Sequence, residues 1–275
     1  MKKIRKIYNK VLFVFIIIMI VSVANVFMGV CFTKLEKVSI NTDKLTEGSS
    51  IRLLQISDVH NKKSLNSNRQ LIRLTQEARP DLVVITGDLI DDNTRDLENV
   101  YKLVEGISAI CPKIYFVTGN HEWRGGIAED LMMGLSKRGV KILDNKNEFV
   151  KVRDLSLNLC GVSDWTSGQL DLSKALKGAD SGIYTVMLAH DPWIINDYKD
   201  LVPDLTLSGH THGGQVRFPW VGAIVAPGQK LFPDLDKGFY NLENDKFLYI
   251  DSGVGISSFP IRFLNRSQIT LITIE

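Results

Sequence analysis

A charge-free run near the start of the chain separates a segment suited to a membrane from one suited to water. Residues Val11–Thr33 contain no charged side chain, and the ten residues before them carry five positive charges and no acid. As an α-helix rising ~1.5 Å per residue, a run of this length reaches ~34 Å, enough to cross the hydrocarbon core of a bilayer. The sequence therefore predicts one transmembrane helix in front of a folded domain.

The basic flank predicts the orientation of this helix. Positive residues favour the cytoplasmic side, so residues 1–10 are expected to be a cytoplasmic tail and residues 11–33 a single-pass signal-anchor that places the domain outside the cytoplasm. One alternative is a cleaved signal peptide, for which Ser22-Val23-Ala24 comes closest to a cleavage site; another is a buried globular helix. The polar stretch Lys34–Ser50 is predicted to be a tether, and residues 51–275 the domain.

Charge and cysteine content argue against several kinds of site. Without the five basic residues of the tail, 28 basic residues stand against 31 acidic ones, which gives no indication of a nucleic-acid-binding surface. The spacing of the cysteines fits no metal-ribbon pattern. Cys111 and Cys160 are interpreted as buried free thiols, with a disulfide in an oxidising compartment as the alternative.

Beyond Ser50, runs typical of strands alternate with runs typical of helices. In the first half, strands are predicted at 51–57, 82–86 and 114–118, and helices at 65–79, 95–110 and 128–138. This order is typical of βαβ units with a parallel sheet. Later strands are predicted at 141–143, 149–152, 156–160, 184–189, 205–208, 238–242, 247–250 and 268–274, with short helices at 172–176 and 193–198. The expected fold class is α/β, with two packed β-sheets forming a sandwich flanked by helices.

All five histidines follow closely after predicted strands and lie among small or acidic residues. In an open α/β sheet, ligands gather at the carboxyl ends of strands, so clusters that are scattered in sequence can converge in space. A surface or core role is the usual explanation for a single histidine, but here it would have to hold five times independently. The clusters are Asp58-Val59-His60, Gly87-Asp88-Leu89-Ile90-Asp91, Gly119-Asn120-His121-Glu122, His190-Asp191 and Gly209-His210-Thr211-His212.

The chemistry of these clusters predicts a metal centre. Aspartate, histidine and asparagine offer oxygen and imidazole donors, which suit Mn²⁺, Fe or Zn²⁺ and argue against a thiolate site. Seven candidate donors are too many for one ion but suit two ions bridged by a carboxylate. Two cations ~3.5–4 Å apart can share a hydroxide nucleophile and neutralise a phosphoryl group during in-line displacement. Gly87, Gly119 and Gly209 are expected to let the backbone turn sharply where strands end.

The motifs D-x-H, G-D-x-x-D, G-N-H-E, a lone histidine and G-H-x-H, in that order, resemble those of the calcineurin-like metallophosphoesterases. The resemblance covers Ile51 to the C-terminus. The extended form G-H-T-H-G-G-Q and the late segment Ser252–Phe263 are similar to the YkuE/YaeI-like branch of membrane-associated phosphodiesterases. The resemblance implies a β-sandwich flanked by helices and a hydrolase of phosphomonoesters, phosphodiesters or pyrophosphates.

The resemblance also implies roles for individual residues. The implied metal ligands are Asp58, His60 and His212 for a first divalent ion, Asn120, His190 and His210 for a second, and Asp88 as the bridge. Mn²⁺ is the favoured ion, with Fe and Zn²⁺ as alternatives. His121 resembles a residue that does not bind metal but faces the leaving-group oxygen as stabiliser or acid, and Asp91 would orient it.

Three further features each have two interpretations. The apolar stretch Phe218–Val225 is either a wall for a lipid-like substrate or a membrane-facing loop, or it is the packed core of a hairpin. Arg262 would meet a substrate phosphate, or it is an ordinary surface arginine. Trp123 and Arg124 would contact a substrate, or they belong to an ordinary loop.

The predicted function is hydrolysis of a phosphoester by a two-metal-activated hydroxide, on a membrane- or envelope-associated substrate. Alternatives are a membrane-tethered binding or scaffolding domain without catalysis, a lipid pyrophosphatase similar to UDP-2,3-diacylglucosamine hydrolase, and a cytoplasmic enzyme acting on nucleotides. Relatives without catalysis usually lose ligands, whereas this chain keeps all seven donors and His121. This favours the enzyme.

Overall fold

The computed structural model of the protein describes residues 2–63, 67–198, 203–256 and 260–275. Its strands are β1 (Lys34–Ile40), β2 (Ile51–Ile56), β3 (Leu82–Thr86), β4 (Ile114–Val117), β5 (Lys141–Ile142), β6 (Lys146–Val152), β7 (Leu155–Gly161), β8 (Thr185–Leu188), β9 (Leu205–Ser208), β10 (Val216–Phe218), β11 (Gly222–Val225), β12 (Gly238–Asn241), β13 (Phe247–Ile250) and β14 (Gln268–Ile274). Its helices are α1 (Lys2–Cys31), α2 (Ser67–Ala78), α3 (Glu98–Ser108), α4 (Asn120–Arg124), α5 (Ala128–Ser136) and α6 (Leu172–Ala175), with 3₁₀ turns at Trp165–Ser167, Pro192–Asp197 and His212–Gly214.

The strands form two six-stranded sheets and one hairpin. The first sheet has the order β1-β14-β2-β3-β4-β5, the second the order β12-β13-β9-β8-β7-β6, and β10 pairs with β11. Neighbours from β2 to β5 and from β7 through β8 and β9 to β13 run parallel. The fold class is therefore the α/β sandwich predicted from the sequence.

The central strands are continuous apolar runs because both of their faces are covered. Every residue of β3 is buried, for example. One face of the first sheet packs against the second sheet through a shared apolar layer, and α2, α3 and α5 cover the other face. The layer between the sheets includes Leu53, Val84, Val117, Leu157 and Leu207.

The prediction that Lys34–Ser50 is a tether is wrong, because the first seven residues of this segment form β1. This strand pairs in parallel with β14, from Lys34 opposite Gln268 to Ile40 opposite Ile274. The rest of the segment is also attached to the domain, since Lys44 Nζ donates to Asp204 Oδ2 at 2.9 Å. The domain therefore begins directly after α1.

Helix α1 is long and apolar enough to cross a membrane. Its most apolar 18-residue stretch has a mean hydropathy of 2.9, and none of that stretch is buried in protein. Its last turns contact the domain: Leu264 N–H donates to Asn25 Oδ1 at 2.7 Å, and Ser267 N–H donates to the carbonyl of Gly29 at 2.9 Å. Length and composition identify α1 as a candidate membrane span.

Most predicted elements agree with the structure to within a few residues. The predicted helix 65–79 is observed as α2, with residues 65 and 66 outside the described part of the chain. Cys111 and Cys160 are buried free thiols, as interpreted from the sequence. Phe218–Val225 does form a hairpin, but its interpretation as a packed core is wrong, because Phe218, Trp220 and Val221 are exposed.

Candidate metal centre

The predicted donors lie at the carboxyl ends of strands from both sheets. Asp58 and His60 follow β2, Asp88 follows β3, and Asn120 begins the short helix after β4. The second sheet contributes His190 after β8, and His210 and His212 after β9. Parallel pairing within each sheet brings these strand ends to one edge, as the sequence pattern predicts.

A first group of donors comes from β2 and β9. His60 Nε2 lies 3.1 Å from His212 Nε2, and His212 Nε2 lies 3.6 Å from Asp58 Oδ1. Asp88 Oδ2 approaches from the neighbouring strand end, 3.8 Å from His60 Nε2. All four residues are buried. This group matches the ligand set that the resemblance implies for a first ion, with Asp88 at its edge.

A second group lies on the other side of Asp88. Asp88 Oδ2 lies 3.1 Å from His190 Nε2. Asn120 Oδ1 lies 3.2 Å from His190 Nε2 and 2.9 Å from His210 Nδ1. The two imidazole nitrogens are 3.2 Å apart. Asp88 is therefore the carboxylate shared by both groups.

The spacing and chemistry of these donors fit divalent cations. In an octahedral or tetrahedral shell with bonds of ~2.1 Å, neighbouring ligand atoms lie about 3.0–3.4 Å apart, close to most of the separations here. His190 Nδ1 lies 2.9 Å from the carbonyl of Thr86, an arrangement in which that nitrogen donates and leaves Nε2 as the ligand atom. Asn120 directs its side-chain amide at two imidazole nitrogens, and the carbonyl oxygen of that amide is the atom that could join them as a cation ligand.

Burial keeps several of these imidazoles in the neutral form that binds metal. Burial lowers the pKa of His60 to about 4 and the pKa of His210 to about 3. It also lowers the pKa of His212 well below the usual value, with positive neighbours adding to the effect. Burial opposes ionisation of Asp88, but the surrounding imidazoles, His190 first, outweigh it and hold the pKa of this carboxyl well below its usual range. Burial also opposes protonation of His190, but the charge and the hydrogen bond of Asp88 outweigh it and raise the pKa of His190 well above its usual value. The neutral imidazoles of His60, His210 and His212 thus surround a paired His190 and Asp88.

Five of the seven predicted ligands have a left-handed backbone, which is uncommon outside glycine. Their φ angles are 50° at Asp58, 52° at His60, 53° at Asp88, 67° at His210 and 51° at His212. Such conformations cluster at functional sites, where the surrounding structure holds them in place. The strand-end loops are therefore shaped to direct side chains inward, at a cost in backbone energy.

Only one of the three glycines acts as the sharp turn that the sequence predicts. Gly87 has a φ of +82°. Gly119 has an extended backbone, and a Cβ there would lie 2.3 Å from Asp88 Oδ1. At Gly209 a Cβ would lie 2.4 Å from Asp58 Oδ2. Gly119 and Gly209 are needed because the carboxylates of Asp88 and Asp58 pack against the backbone there.

Glu122 is a buried carboxylate to which sequence reasoning gave no role. Its oxygens accept hydrogen bonds from the backbone N–H groups of Gly119 at 2.7 Å, Asp88 at 3.0 Å and Ile90 at 3.2 Å. Burial, with the charge of Asp88 adding, raises the pKa of Glu122 to about 8. Glu122 thus joins the loops after β3 and β4 and holds the backbone of Asp88 in position. Its place in the motif G-N-H-E is the sequence signal that could have revealed it.

His121 lies beside both groups of donors and is partly exposed. Its Nε2 is 3.9 Å from Asp88 Oδ2, and its ring meets that of His60 edge-on at 4.7 Å. His121 Nδ1 lies 2.7 Å from Asp92 Oδ1, close enough for an ion pair when the imidazole is protonated. His121 is therefore placed to present Nε2 to a group bound at the donors.

The carboxylate that lies against the His121 ring belongs to Asp92 and not to Asp91, the residue predicted to orient it. Asp91 Oδ1 instead accepts from the N–H of Asn93 at 2.9 Å and from the hydroxyl of Thr94 at 3.1 Å. Asp91 thus stabilises the turn after β3. Two adjacent aspartates cannot be distinguished by spacing alone.

Arg262 does not lie at the surface, as a substrate-binding or salt-bridged arginine would. It is fully buried and donates to the carbonyls of Ser252 and Gly255, each at 2.7 Å. Its Nη2 lies 3.5 Å from His212 Nδ1, and its positive charge contributes to the lowered pKa of His212. Arg262 therefore lies buried behind His212, and its role as a substrate contact stays a prediction.

A cleft of about 800 Å³ leads away from the donors. It is lined by His60, His121, Lys62, the turn from Asp91 to Asp96 and Val30 of α1. The cleft therefore connects the metal centre with the end of the candidate membrane helix. Trp123 and Arg124 follow His121 in α4; Trp123 Nε1 donates to Thr118 Oγ1 at 2.9 Å, which gives it a structural contact.

Comparison with known proteins agrees with this geometry. The profile of the calcineurin-like phosphoesterase family matches residues 51–214. A metallophosphoesterase of Aquifex aeolicus is 31% identical over 252 residues, covering 89% of this chain and 92% of the relative. The metallophosphoesterase YkuE of Bacillus subtilis is 29% identical over 231 residues, covering 82% of this chain and 79% of the relative.

Two further relatives bear on the membrane segment and on the fold. A Danio rerio protein named as a transmembrane protein with a metallophosphoesterase domain is 30% identical over 260 residues, covering 88% of this chain and 57% of the relative. The solved 5′-nucleotidase precursor of Thermus thermophilus has a TM-score of 0.50 at 12% identity, covers 75% of this chain and 50% of that chain, and is similar in fold. Since the family profile spans more than half of the 275 residues, the chain belongs to the calcineurin-like phosphoesterase family.

Proposed function

We propose that this metal-dependent phosphoester hydrolase holds two divalent ions, with Mn²⁺ favoured, and acts on a phosphomonoester, phosphodiester or pyrophosphate presented at a membrane. The observation that carries the proposal is the convergence of two donor groups on one carboxylate. Asp58, His60 and His212 would hold the first ion, and Asn120, His190 and His210 the second. Asp88 lies between the groups and would bridge them.

Each part of the site has a separate role in this proposal. When bound, the two cations would neutralise phosphoryl oxygens and lower the pKa of an attacking water. The chain itself would position the substrate and supply a proton. His121 Nε2 faces the donors from the cleft, so His121 would stabilise the leaving-group oxygen or protonate it. Asp92 would hold the imidazole in place through Nδ1.

The proposed role of Asp92 has a matched control in its neighbour. Asp92→Asn removes the charge beside His121 Nδ1, so we expect turnover to fall by roughly 10-fold, the lower end of the effect of losing a partner that orients a functional histidine. Asp91→Asn should leave turnover near the wild-type value, because its carboxylate serves the turn at Asn93 and Thr94. Steady-state kinetics with melting temperatures would decide, and Asp92→Glu should recover part of the lost activity. Equal losses in Asp91→Asn and Asp92→Asn would contradict the assignment.

The proposed location follows from the basic tail and from α1. The tail favours a cytoplasmic N-terminus, and α1 would then place the hydrolase domain outside the cytoplasm. Two residues separate the end of α1 from β1, so the domain would lie on the bilayer rather than on a long tether. Protease added to intact cells, or to protoplasts where a wall is present, should digest the domain while a cytoplasmic control survives. Full protection of the domain in protoplasts would reverse the topology.

A membrane-presented substrate is supported by the cleft. Its walls run from His60 and His121 to Val30, the residue just before the end of α1. A phosphate group bound at the donors could therefore remain attached to a lipid or glycolipid whose apolar part stays near α1. Soluble nucleotides would use only the inner end of this cleft.

The experiment that tests the proposal is a substrate panel. Because α1 packs against the domain, we would purify the full chain in detergent and supply Mn²⁺ with mono-, di- and pyrophosphate esters, including lipid-linked ones. We expect metal-dependent hydrolysis that chelation removes and Mn²⁺ restores. A matched preparation of His121→Ala would exclude contaminating phosphatases. If wild type does not exceed this variant on any substrate, the alternative of a non-catalytic binding domain is favoured.

A further inference from the structure

An exposed apolar surface surrounds the hairpin formed by β10 and β11. Trp220, at the tip, is fully exposed, and Leu231 is 65% exposed. We call this surface the hairpin patch; its exposed residues are Phe218, Trp220, Val221, Val225, Leu231 and Phe232. Adjacent exposed apolar side chains of this size mark an interaction surface rather than ordinary surface variation.

The hairpin is held in this shape and is not simply a loose loop. Arg217 pairs with Gly213 O at 3.0 Å and with Asp236 Oδ2 at 2.6 Å, which anchors the base of β10. Phe232 N–H donates to the carbonyl of Ile224 at 2.9 Å, so the 231–232 segment lies against the hairpin. Trp220 has a φ of +64°, a conformation that is rare for a bulky residue. The backbone therefore presents an apolar tip at an energetic cost.

The hairpin patch is structurally continuous with the end of α1. The N–H of Phe263 donates to Gln215 O at 2.9 Å, the N–H of Arg217 donates to Phe263 O at 3.0 Å, and the rings of Phe218 and Phe263 lie 5.7 Å apart. The next residue, Leu264, donates its N–H to Asn25 of α1. Two consecutive residues, Phe263 and Leu264, therefore link the hairpin to the candidate membrane helix.

The same strip of chain packs closely against α1. A Cβ at Gly29 would lie 2.7 Å from the carbonyl oxygen of Arg262, so the helix and this strip are in backbone contact. The side chain of Leu264 is 45% exposed beside them.

The position of the contact between Leu264 and α1 along the helix places the residues next to the hairpin near the membrane surface. A span of about 20 residues that begins at Val11 ends near Val30. Asn25 lies six residues before the end of α1 at Cys31, or about 9 Å along the helix axis. Leu264 therefore meets α1 within the last two turns of the candidate span, beside the leaflet next to the domain. Aromatic side chains such as tryptophan are enriched at this interface.

We propose that the hairpin patch is a second membrane contact, with Trp220 entering the interface of the leaflet next to the domain. The inference rests on the proposed anchoring by α1. A bilayer is the favoured partner because α1 brings it to the edge of the patch without any further binding event. Two contacts fix the rotation of the domain about α1, so the cleft that reaches Val30 keeps one orientation toward the lipid surface.

Tryptophan quenching by brominated lipids tests the proposal directly. The chain has four tryptophans, at 123, 165, 193 and 220, and α1 contains none, so lipid quenching reports on the domain alone. We would place the full chain in vesicles whose acyl chains carry bromine and compare it with Trp220→Phe. The matched control is Trp165→Phe, which removes an exposed tryptophan outside the hairpin patch.

We expect bromine to quench wild type and Trp165→Phe, and Trp220→Phe to lose most of this quenching while it still hydrolyses a soluble ester normally. If the chain floats with vesicles but Trp220→Phe is quenched as strongly as wild type, the tip does not enter the bilayer. Floating without any quenching would also overturn the proposal and favour a protein partner. Failure to float would show that anchoring by α1 is wrong, and the inference would fail with it, whereas absent hydrolysis in floating vesicles would affect only the proposed reaction.

Discussion

Asp88→Asn is expected to abolish phosphoester hydrolysis and to lower the metal content of the protein. Asp88 is the one donor that lies within reach of both groups, 3.8 Å from His60 Nε2 and 3.1 Å from His190 Nε2. An amide keeps the shape of the side chain but removes the charge that would bridge two cations. The loss of turnover should exceed the ~10²–10⁴-fold effect of removing a positioned acid. Elemental analysis and turnover would be measured on the same preparation.

The control for this variant is Asp154→Asn, which makes the same chemical change on an exposed turn. It should retain the metal content and activity of wild type. If Asp88→Asn keeps both its metal and most of its turnover, Asp88 does not bridge, and the assignment of the two donor groups must be revised. Melting temperatures of both variants would show whether the loss reflects unfolding instead.

His121→Ala should lower turnover by ~10²–10⁴-fold, the usual contribution of a positioned acid or base. Its Nε2 faces Asp88 from the cleft, and its ring is partly exposed, whereas the predicted histidine ligands apart from His210 are buried. We therefore expect metal content to stay nearly at the wild-type value. Kinetics and elemental analysis together separate this outcome from the loss of a ligand.

A different result for His121→Ala would change its role. His121, His60 and Asp88 form one of three clusters whose donor atoms lie within 4.8 Å of one another. If the variant loses a metal ion, His121 is a ligand and not a proton donor. A substrate with a good leaving group offers a further check, since it needs less help from an acid and should show a smaller loss.

The convergence of the candidate donors could be predicted from sequence because their signal is local. Each candidate follows a strand that is itself recognisable, and parallel strands bring their carboxyl ends together. Recognition of the two parallel strands was enough to predict that Asp58 and His210 lie close together, although 152 residues separate them in sequence. In the structure, the N–H of His210 donates to the Asp58 carboxylate. The resemblance then assigned the donors to two groups that agree with the observed distances.

Features that depend on distant pairing could not be predicted. The strand at Lys34–Ile40 is polar in part, and its partner is the last strand of the chain. The choice between Asp91 and Asp92 depends on the geometry of one turn. Arg262 was expected at the surface because nothing in its local sequence reveals that it is buried against His212. The sequence left open whether the hairpin is packed, since apolar residues usually are, and the structure shows that its apolar residues remain exposed.

The measurement that tests the central claim most directly is the number of divalent ions bound to the full-length protein. The chain would be purified in detergent without chelators, supplied with Mn²⁺, freed of excess ion and examined by elemental analysis against quantitative amino-acid analysis. The two donor groups that meet at Asp88 predict two ions per chain, and chelation should remove both together with activity. A stoichiometry that stays at one under saturating Mn²⁺, with Asp88→Asn leaving it unchanged, would contradict the two-metal centre.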